Sequence, residues 1–215
     1  MAIALLGPLQ IDGDGPVLGK RDRVVLAALA VRPGDVLTAD RLADALWGEA
    51  VPPSWPKVVQ GSVVRLRKRL GHRAIETTPH GYRLAIADDE IDVHCFEALV
   101  ARGDDLMTRA EPERAVAAYE RALGLWRGPP LDDLDRWAPG RGEAARLDEV
   151  HRSAEESLVD ARLTVKASPR SVADARILVA EGPLRERRWA LLARALYGAG
   201  RQAEAMDALR TARGL

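Results

Sequence analysis

The chain has 215 residues, of which 32 are basic and 32 acidic, so its formal net charge at pH 7 is zero. An apolar fraction of 47% over that length is enough to bury one large core or two small ones, and two compact domains are expected. No run approaches the roughly 18 apolar residues that cross a bilayer. The opening MAIALLGPLQIDGDG lacks the basic start and long apolar stretch of a secretory signal, and a single cysteine, Cys95, excludes an internal disulfide; a cytoplasmic location is expected.

In chain order, IALLGPLQI and PVLG read as short strands separated by the turn-forming Asp12, Gly13, Asp14 and Gly15. Val24, Val25, Leu26, Ala28 and Leu29 predict a helix from Lys20 to about Arg32, ended by Pro33-Gly34-Asp35. Thr38 is the expected N-cap of a second helix, TADRLADALWG, with Leu42, Ala45 and Leu46 inward and Gly48 at its close. The proline-rich loop EAVPPSWP leads to a third helix over SWPKVVQGSVVRLRKRLG, in which Val59, Val63, Leu66 and Leu70 share the core face. Two strand-like segments, AIETTP and YRLAIA, follow around His80-Gly81. Helix, helix, basic helix and hairpin are the outline of a winged helix-turn-helix.

The third helix and hairpin concentrate positive charge within a neutral chain: Lys57, Arg65, Arg67, Lys68, Arg69, Arg73 and Arg83 stand against Glu76 alone. Helical spacing puts Lys57, Gly61, Val64, Arg65 and Lys68 opposite the core, flanked by Gln60, Ser62, Arg67 and Arg69. Arginine can present two donors to guanine, whereas lysine acts as a point charge on phosphate. Arg65 and Val64 are therefore the first candidates for base contact, Ser62 and Gln60 the second, and Lys57, Arg67 and Lys68 the candidates for phosphate. His80 and Arg83 in the wing are placed to reach the adjacent minor groove or its phosphates. The competing reading of the same charges is a solvated helix face; Trp47 and Trp55 are expected to fill the core around the loop.

Beyond DDEIDVHCFEALV the pattern is helical throughout, giving expected domains at 1–90 and 91–215. Ala115, Val116, Tyr119, Ala122 and Leu123 mark one amphipathic helix, interrupted after Trp126 by Gly128-Pro129-Pro130. Leu147, Val150, Ala154, Leu158 and Ala161 stripe a second between Arg141 and Val165, and Leu184 to Arg213 reads as a helix pair turning at Gly198 to Gly200. Leu99, Gly103, Leu106, Ala115, Tyr119 and Ala122 are spaced comparably to Trp189, Leu192, Ala193, Leu196, Gly200, Ala205 and Leu209, a weak tetratricopeptide-like repeat. Trp126, Trp137 and Trp189 are expected in the core, and the charged runs RERR and EE on solvated faces. The expected fold class is mainly α with a small β component: an N-terminal winged helix-turn-helix, then an all-α tetratricopeptide-like domain.

The words LLGPLQI, VLAALAVRPGDVLTADRLADALWG, VVRLRKRLG and GYRL, followed by AYERALGLWRGPPLDDL, ARLDEV and PLRERRWALLARALYGAGRQAEAM, together resemble actinobacterial regulators of the SARP type (Streptomyces antibiotic regulatory proteins). These join an OmpR-like winged helix to a bacterial transcriptional activation domain, and the likeness covers nearly the whole chain. The resemblance implies activation of transcription by binding double-stranded DNA at direct repeats near a promoter, a homodimer or side-by-side pair on DNA, and contact with RNA polymerase. It carries DNA-contact roles onto Lys57, Ser62, Val64, Arg65, Arg67 and Lys68 in the third helix and onto His80 and Arg83 in the wing. It also implies a further helical segment beyond Leu215. Gly61 and Val64 depart from the larger or polar residues usual in such helices.

No catalytic residue, cofactor, metal site or membrane partner is expected. The string GDGPVLGK resembles a phosphate loop, but Asp14 falls where its first glycine belongs and Arg21 replaces the required Ser or Thr. His94 beside Cys95 has no companion pair at metal-ligand spacing. The stronger rival class is a tetratricopeptide-like protein-binding scaffold or signalling adaptor.

Overall fold

The computed structural model describes residues 3–13, 17–166 and 168–214. Contacts group the chain into two units, one of Met1–Cys95 with Leu125–Asp148 and the other of Phe96–Gly124 with Glu149–Leu215. No helix among the described residues is long and apolar enough to cross a membrane.

The first unit opens with a small antiparallel hairpin, β1 (Ile3–Ala4) and β2 (Gln10–Ile11), shorter than the run IALLGPLQI suggests. Val17–Gly19 form no strand, and Pro16 lies outside the described residues. Helix α1 (Lys20–Ala30) is buried along nearly all of VVLAALA, so it needs apolar neighbours on several sides. Two of these are α2 (Ala39–Trp47) and α3 (Trp55–Leu70). Thr38 caps α2 through its hydroxyl, which accepts from the Arg41 amide at 3.3 Å, and Gly48 at φ +59° closes it. In α3, Pro56 sits in the first turn, where its missing N–H costs nothing, and Arg67, Lys68 and Arg69 in the last turn oppose the negative end of the helix dipole. Val59, Val63 and Leu66 form its buried face.

A three-stranded sheet of β3 (Val36–Leu37), β4 (Ile75–Thr78) and β5 (Gly81–Leu84), in the order β3-β5-β4, backs these helices. Pro79 and His80 turn the β4–β5 wing, with Thr78 opposite Gly81 and Glu76 opposite Arg83. A Cβ on Gly81, whose φ is +152°, would stand 2.2 Å from the carbonyl oxygen of Leu37, so only glycine fits where the wing crosses β3.

The same unit also draws on chain well beyond the wing. The fully buried Asp92 carboxylate accepts the amides of Leu5 at 2.7 Å and Leu6 at 2.9 Å and pairs with Arg127 at 3.2 Å. The amides of Arg127 and Leu131 then return hydrogen bonds to Leu6 and Leu5. Trp137, buried as expected, donates its indole N–H to Asp44 at 3.0 Å, and Arg23 pairs with Asp133 at 2.8 Å.

The second unit is helical. It contains the part of α4 (Asp92–Thr108) from Phe96 onward, α5 (Pro112–Leu123), the part of α6 (Ala138–Val165) from Glu149 onward, α7 (Pro169–Glu181), α8 (Glu186–Gly198) and α9 (Gln202–Arg213). Helix α8 packs against both α7 and α9. Gly103 lets α4 meet the Tyr119 ring of α5, where a Cβ would lie 2.4 Å from a ring carbon, and the Tyr119 hydroxyl donates to Asp104 at 2.6 Å. Val172, Ala175, Leu178, Leu191, Leu192, Leu196, Ala205 and Ala208 fill the core between α7, α8 and α9.

The runs RERR and EE are not simply solvated, which corrects the sequence expectation. Glu156 and Arg188 are both buried, with Arg188 Nε donating to Glu156 Oε1 at 2.9 Å, while Arg185 donates to the same carboxylate at 2.6 Å. The chain is thus mainly α with a small β component, a winged helix-turn-helix joined to a tetratricopeptide-like helical array.

Candidate nucleic-acid interface

Three of the candidate cations, Arg65, Arg67 and Arg83, and the flanking Arg69 already have partners within the winged unit. Arg65 reaches sideways to α1 and grips Asp22 with two parallel bonds, Nε to Oδ2 and Nη2 to Oδ1, each 2.7 Å long. Its Nη2 also donates to the Ser62 hydroxyl at 3.1 Å. Asp22 is 5% exposed. Burial opposes its ionisation, but hydrogen bonds from Arg65 and Ser62 and the charge of Arg65 outweigh that and hold the carboxyl below its ordinary range; the same pairing raises Arg65. Arg67 donates to the Ile75 carbonyl at 2.9 Å and to the Thr77 hydroxyl at 2.8 Å, tying α3 to the wing. Arg69 donates to the carbonyls of Ile11, Asp12 and Gly13. Arg83 pairs across the wing with Glu76, its register partner.

Ser62 is 0% exposed and turned toward Asp22 and Arg65, so the surface does not present it. What α3 does present is a stripe of Lys57, Gln60, Gly61, Val64 and Lys68. Lys57, Gln60 and Lys68 are exposed, and Val64 is 51% exposed. The three polar side chains make no hydrogen bond or ion pair with any described residue. His80 is exposed at the tip of the wing, its backbone N–H bonded to the Thr78 hydroxyl at 3.3 Å. The structure therefore gathers Lys57, Gln60, Val64 and Lys68 on one face, sets His80 on the adjoining hairpin, and engages Arg65, Arg67 and Arg83 in pairs that brace the element bearing that face.

Asp22 is the residue that sequence reasoning missed. Its signal is an acidic side chain in the first turn of a helix that is buried almost throughout, and a buried carboxylate is stable only when paired.

A winged helix whose third helix carries a cationic and polar stripe, joined to a helical array, has the architecture of a bacterial transcriptional regulator. A family model described as "Transcriptional regulatory protein, C terminal" matches residues 13–84, and one described as "Bacterial transcriptional activator domain" matches residues 91–215. The chain belongs to the family of SARP-type regulators, which combine these two domains. It is 35% identical to the transcriptional regulator RedD of Streptomyces coelicolor, over 98% of this chain and 63% of RedD. It is 29% identical to the regulatory protein DnrI of Streptomyces peucetius, over 97% of this chain and 82% of DnrI. Among solved structures it matches Mycobacterium tuberculosis EmbR in complex with a low-affinity phosphopeptide, with a TM-score of 0.91 and 32% identity, over 98% of this chain and 58% of that one. The chain thus spans less than two thirds of RedD and of EmbR.

Proposed function

We propose that this chain binds double-stranded DNA in a sequence-specific manner and activates transcription, with α3 in the major groove and the β4–β5 wing against the neighbouring backbone. The observation that carries the reading is the face of α3 bearing Lys57, Gln60, Val64 and Lys68, whose polar groups no other described side chain engages. Lys57 and Lys68 lie eleven positions apart, or about 16 Å along a helix. That reach exceeds the roughly 12 Å width of the major groove, so the two ammonium groups suit phosphates on its opposite walls. His80 at the wing tip supplies the contact beyond the groove. A pair of chains on direct repeats is the assembly that fits this mode, and the helical array is the surface that would meet the partner copy and RNA polymerase.

The test is selection of genomic fragments by the purified chain, followed by transcription from the selected promoters with purified polymerase. Enrichment of fragments carrying spaced direct repeats, with transcription raised by the protein and not by a Lys57→Ala, Lys68→Ala variant, is the expected result. Enrichment of nothing, with weak binding that the substitutions leave unchanged, would replace this reading with that of a protein-binding scaffold.

A further inference from the structure

Arginine in a groove-facing helix is ordinarily the reader of guanine, yet the arginine nearest the centre of this face is committed elsewhere. The Nε–Nη2 edge that Arg65 would offer a guanine is occupied by the two carboxylate oxygens of Asp22, and the hydroxyl of Ser62 takes a further bond from Nη2. Withdrawing the guanidinium would leave Asp22, 5% exposed, ionised and without its cation. The middle of the presented face consequently belongs to three other residues. Gly61 has no side chain, and Arg65 Nη1 lies 3.2 Å from where its Cβ would be, so the guanidinium takes up the room that a side chain would fill there. Gln60 and Val64 stand one turn apart beside it, as i and i+4 neighbours about 5–6 Å apart at Cβ. A glutamine amide matches the acceptor and donor that adenine presents in the major groove, and an apolar side chain matches the thymine methyl group.

Building on the DNA-binding reading above, we propose that α3 reads an A·T-containing step through Gln60 on adenine and Val64 on a thymine methyl group, the two side chains that flank Gly61 on the presented face. Arg65 is then a positioning residue that fixes the presentation of this face through Asp22. Lys57 and Lys68 at the two ends of the stripe set the register on phosphates.

The experiment is selection from a pool of randomised duplexes by the full chain and four variants, each first checked for folding by circular dichroism. The native chain enriches a motif containing A·T positions. Gln60→Ala loses the adenine preference at one of them, with affinity for the native motif falling about tenfold. Replacing the contacted thymine by uracil, which removes only the methyl group, weakens the native chain and leaves Val64→Ala indifferent. Arg65→Lys keeps every base preference. Asp22→Ala, which releases the guanidinium beside Gly61, adds a preference for guanine next to the A·T step, a change that loss of packing alone would not produce. The proposal is overturned, and DNA binding left standing, if the native motif survives in both Gln60→Ala and Val64→Ala, if Arg65→Lys erases a guanine from it, or if folded Asp22→Ala selects an unaltered motif. A native chain that enriches no motif overturns the DNA-binding reading and this proposal with it.

Discussion

Replacing Arg188 with methionine isolates one side of the buried charge pair in the helical unit. Arg188 and Glu156 have side chains only 1% exposed, joined at 2.9 Å, and Arg188 Nη1 also satisfies the Leu178 carbonyl at 2.7 Å. Methionine fills much of the same volume but leaves Leu178 without that donor and Glu156 with Arg185 alone as its close hydrogen-bonding cation, a side chain 29% exposed. Removing one partner of a buried pair typically costs about 3–5 kcal/mol, because the charge left behind is desolvated without compensation. Against a typical domain stability of about 5–15 kcal/mol, that would bring this unit near the edge of folding. In a urea titration followed by circular dichroism and tryptophan fluorescence, with m near 2 kcal/mol/M, the midpoint of the helical unit should fall by roughly 1.5 M or more. The double variant Arg188→Met, Glu156→Leu removes both charges and should recover most of the loss, since an apolar replacement of a whole pair is often neutral. A single-variant cost below about 1 kcal/mol, or a double variant worse than the sum of the two single ones, would refute the assignment of this pair as a coupled, desolvated unit.

Gly61→Ala should act on fold and function in opposite directions. Alanine raises helix stability by up to about 1 kcal/mol, less whatever the contact with Arg65 Nη1 takes back, while a methyl group on the presented face weakens DNA binding; thermal melting and a mobility-shift titration read the two effects separately. Acid should weaken both units. Burial opposes ionisation of Asp22 and Glu156, but their arginine partners prevail and hold the folded carboxyls below the ordinary range. Their stabilisation is therefore complete above the unfolded values of about 3.9 and 4.3 and is lost as pH falls through the lower folded values. Glu155 has the opposite sign: burial first, then repulsion from Glu181, raises it, so its ionisation works against the folded unit as pH rises through the carboxylate range. Glu155→Gln should accordingly melt higher than the native chain at pH 7, an advantage that shrinks on acidification.

The winged unit is legible in sequence because its signals are local. Thr38 and Gly48 bracket α2 by capping chemistry, the Val59, Val63, Leu66 and Leu70 spacing orients α3, and the glycine that the wing crossing demands stands at Gly81. The destination of long side chains is not local. Periodicity places Arg65 outside the core, but its guanidinium lies several bonds from the backbone and settles on Asp22, 43 positions earlier, which no helical wheel discloses. The same limit applies to RERR: the run reads as polar surface until α6 brings Glu156 against Arg185 and Arg188. Helix α7 carried a usable signal in Ser168-Pro169, where the Ser168 hydroxyl caps the Ser171 amide, yet its buried stripe of Ser171, Val172, Ala175 and Leu178 is short and half built of small residues, too weak to stand out. The adoption of Leu125–Asp148 by the winged unit rests on backbone bonds between Leu5, Leu6, Arg127 and Leu131, and residues this far apart in sequence leave no periodic trace.

The most direct test of the DNA-binding account is the salt dependence of binding to a selected fragment, compared between the native chain and the Lys57→Ala, Lys68→Ala variant. Each phosphate neutralised contributes about 0.9 to the slope of log affinity against log salt, so loss of both lysines should flatten that slope by roughly 1.8. A steep native slope flattened by that amount is the predicted result; a variant with the native slope and affinity would contradict the placement of this face of α3 on DNA.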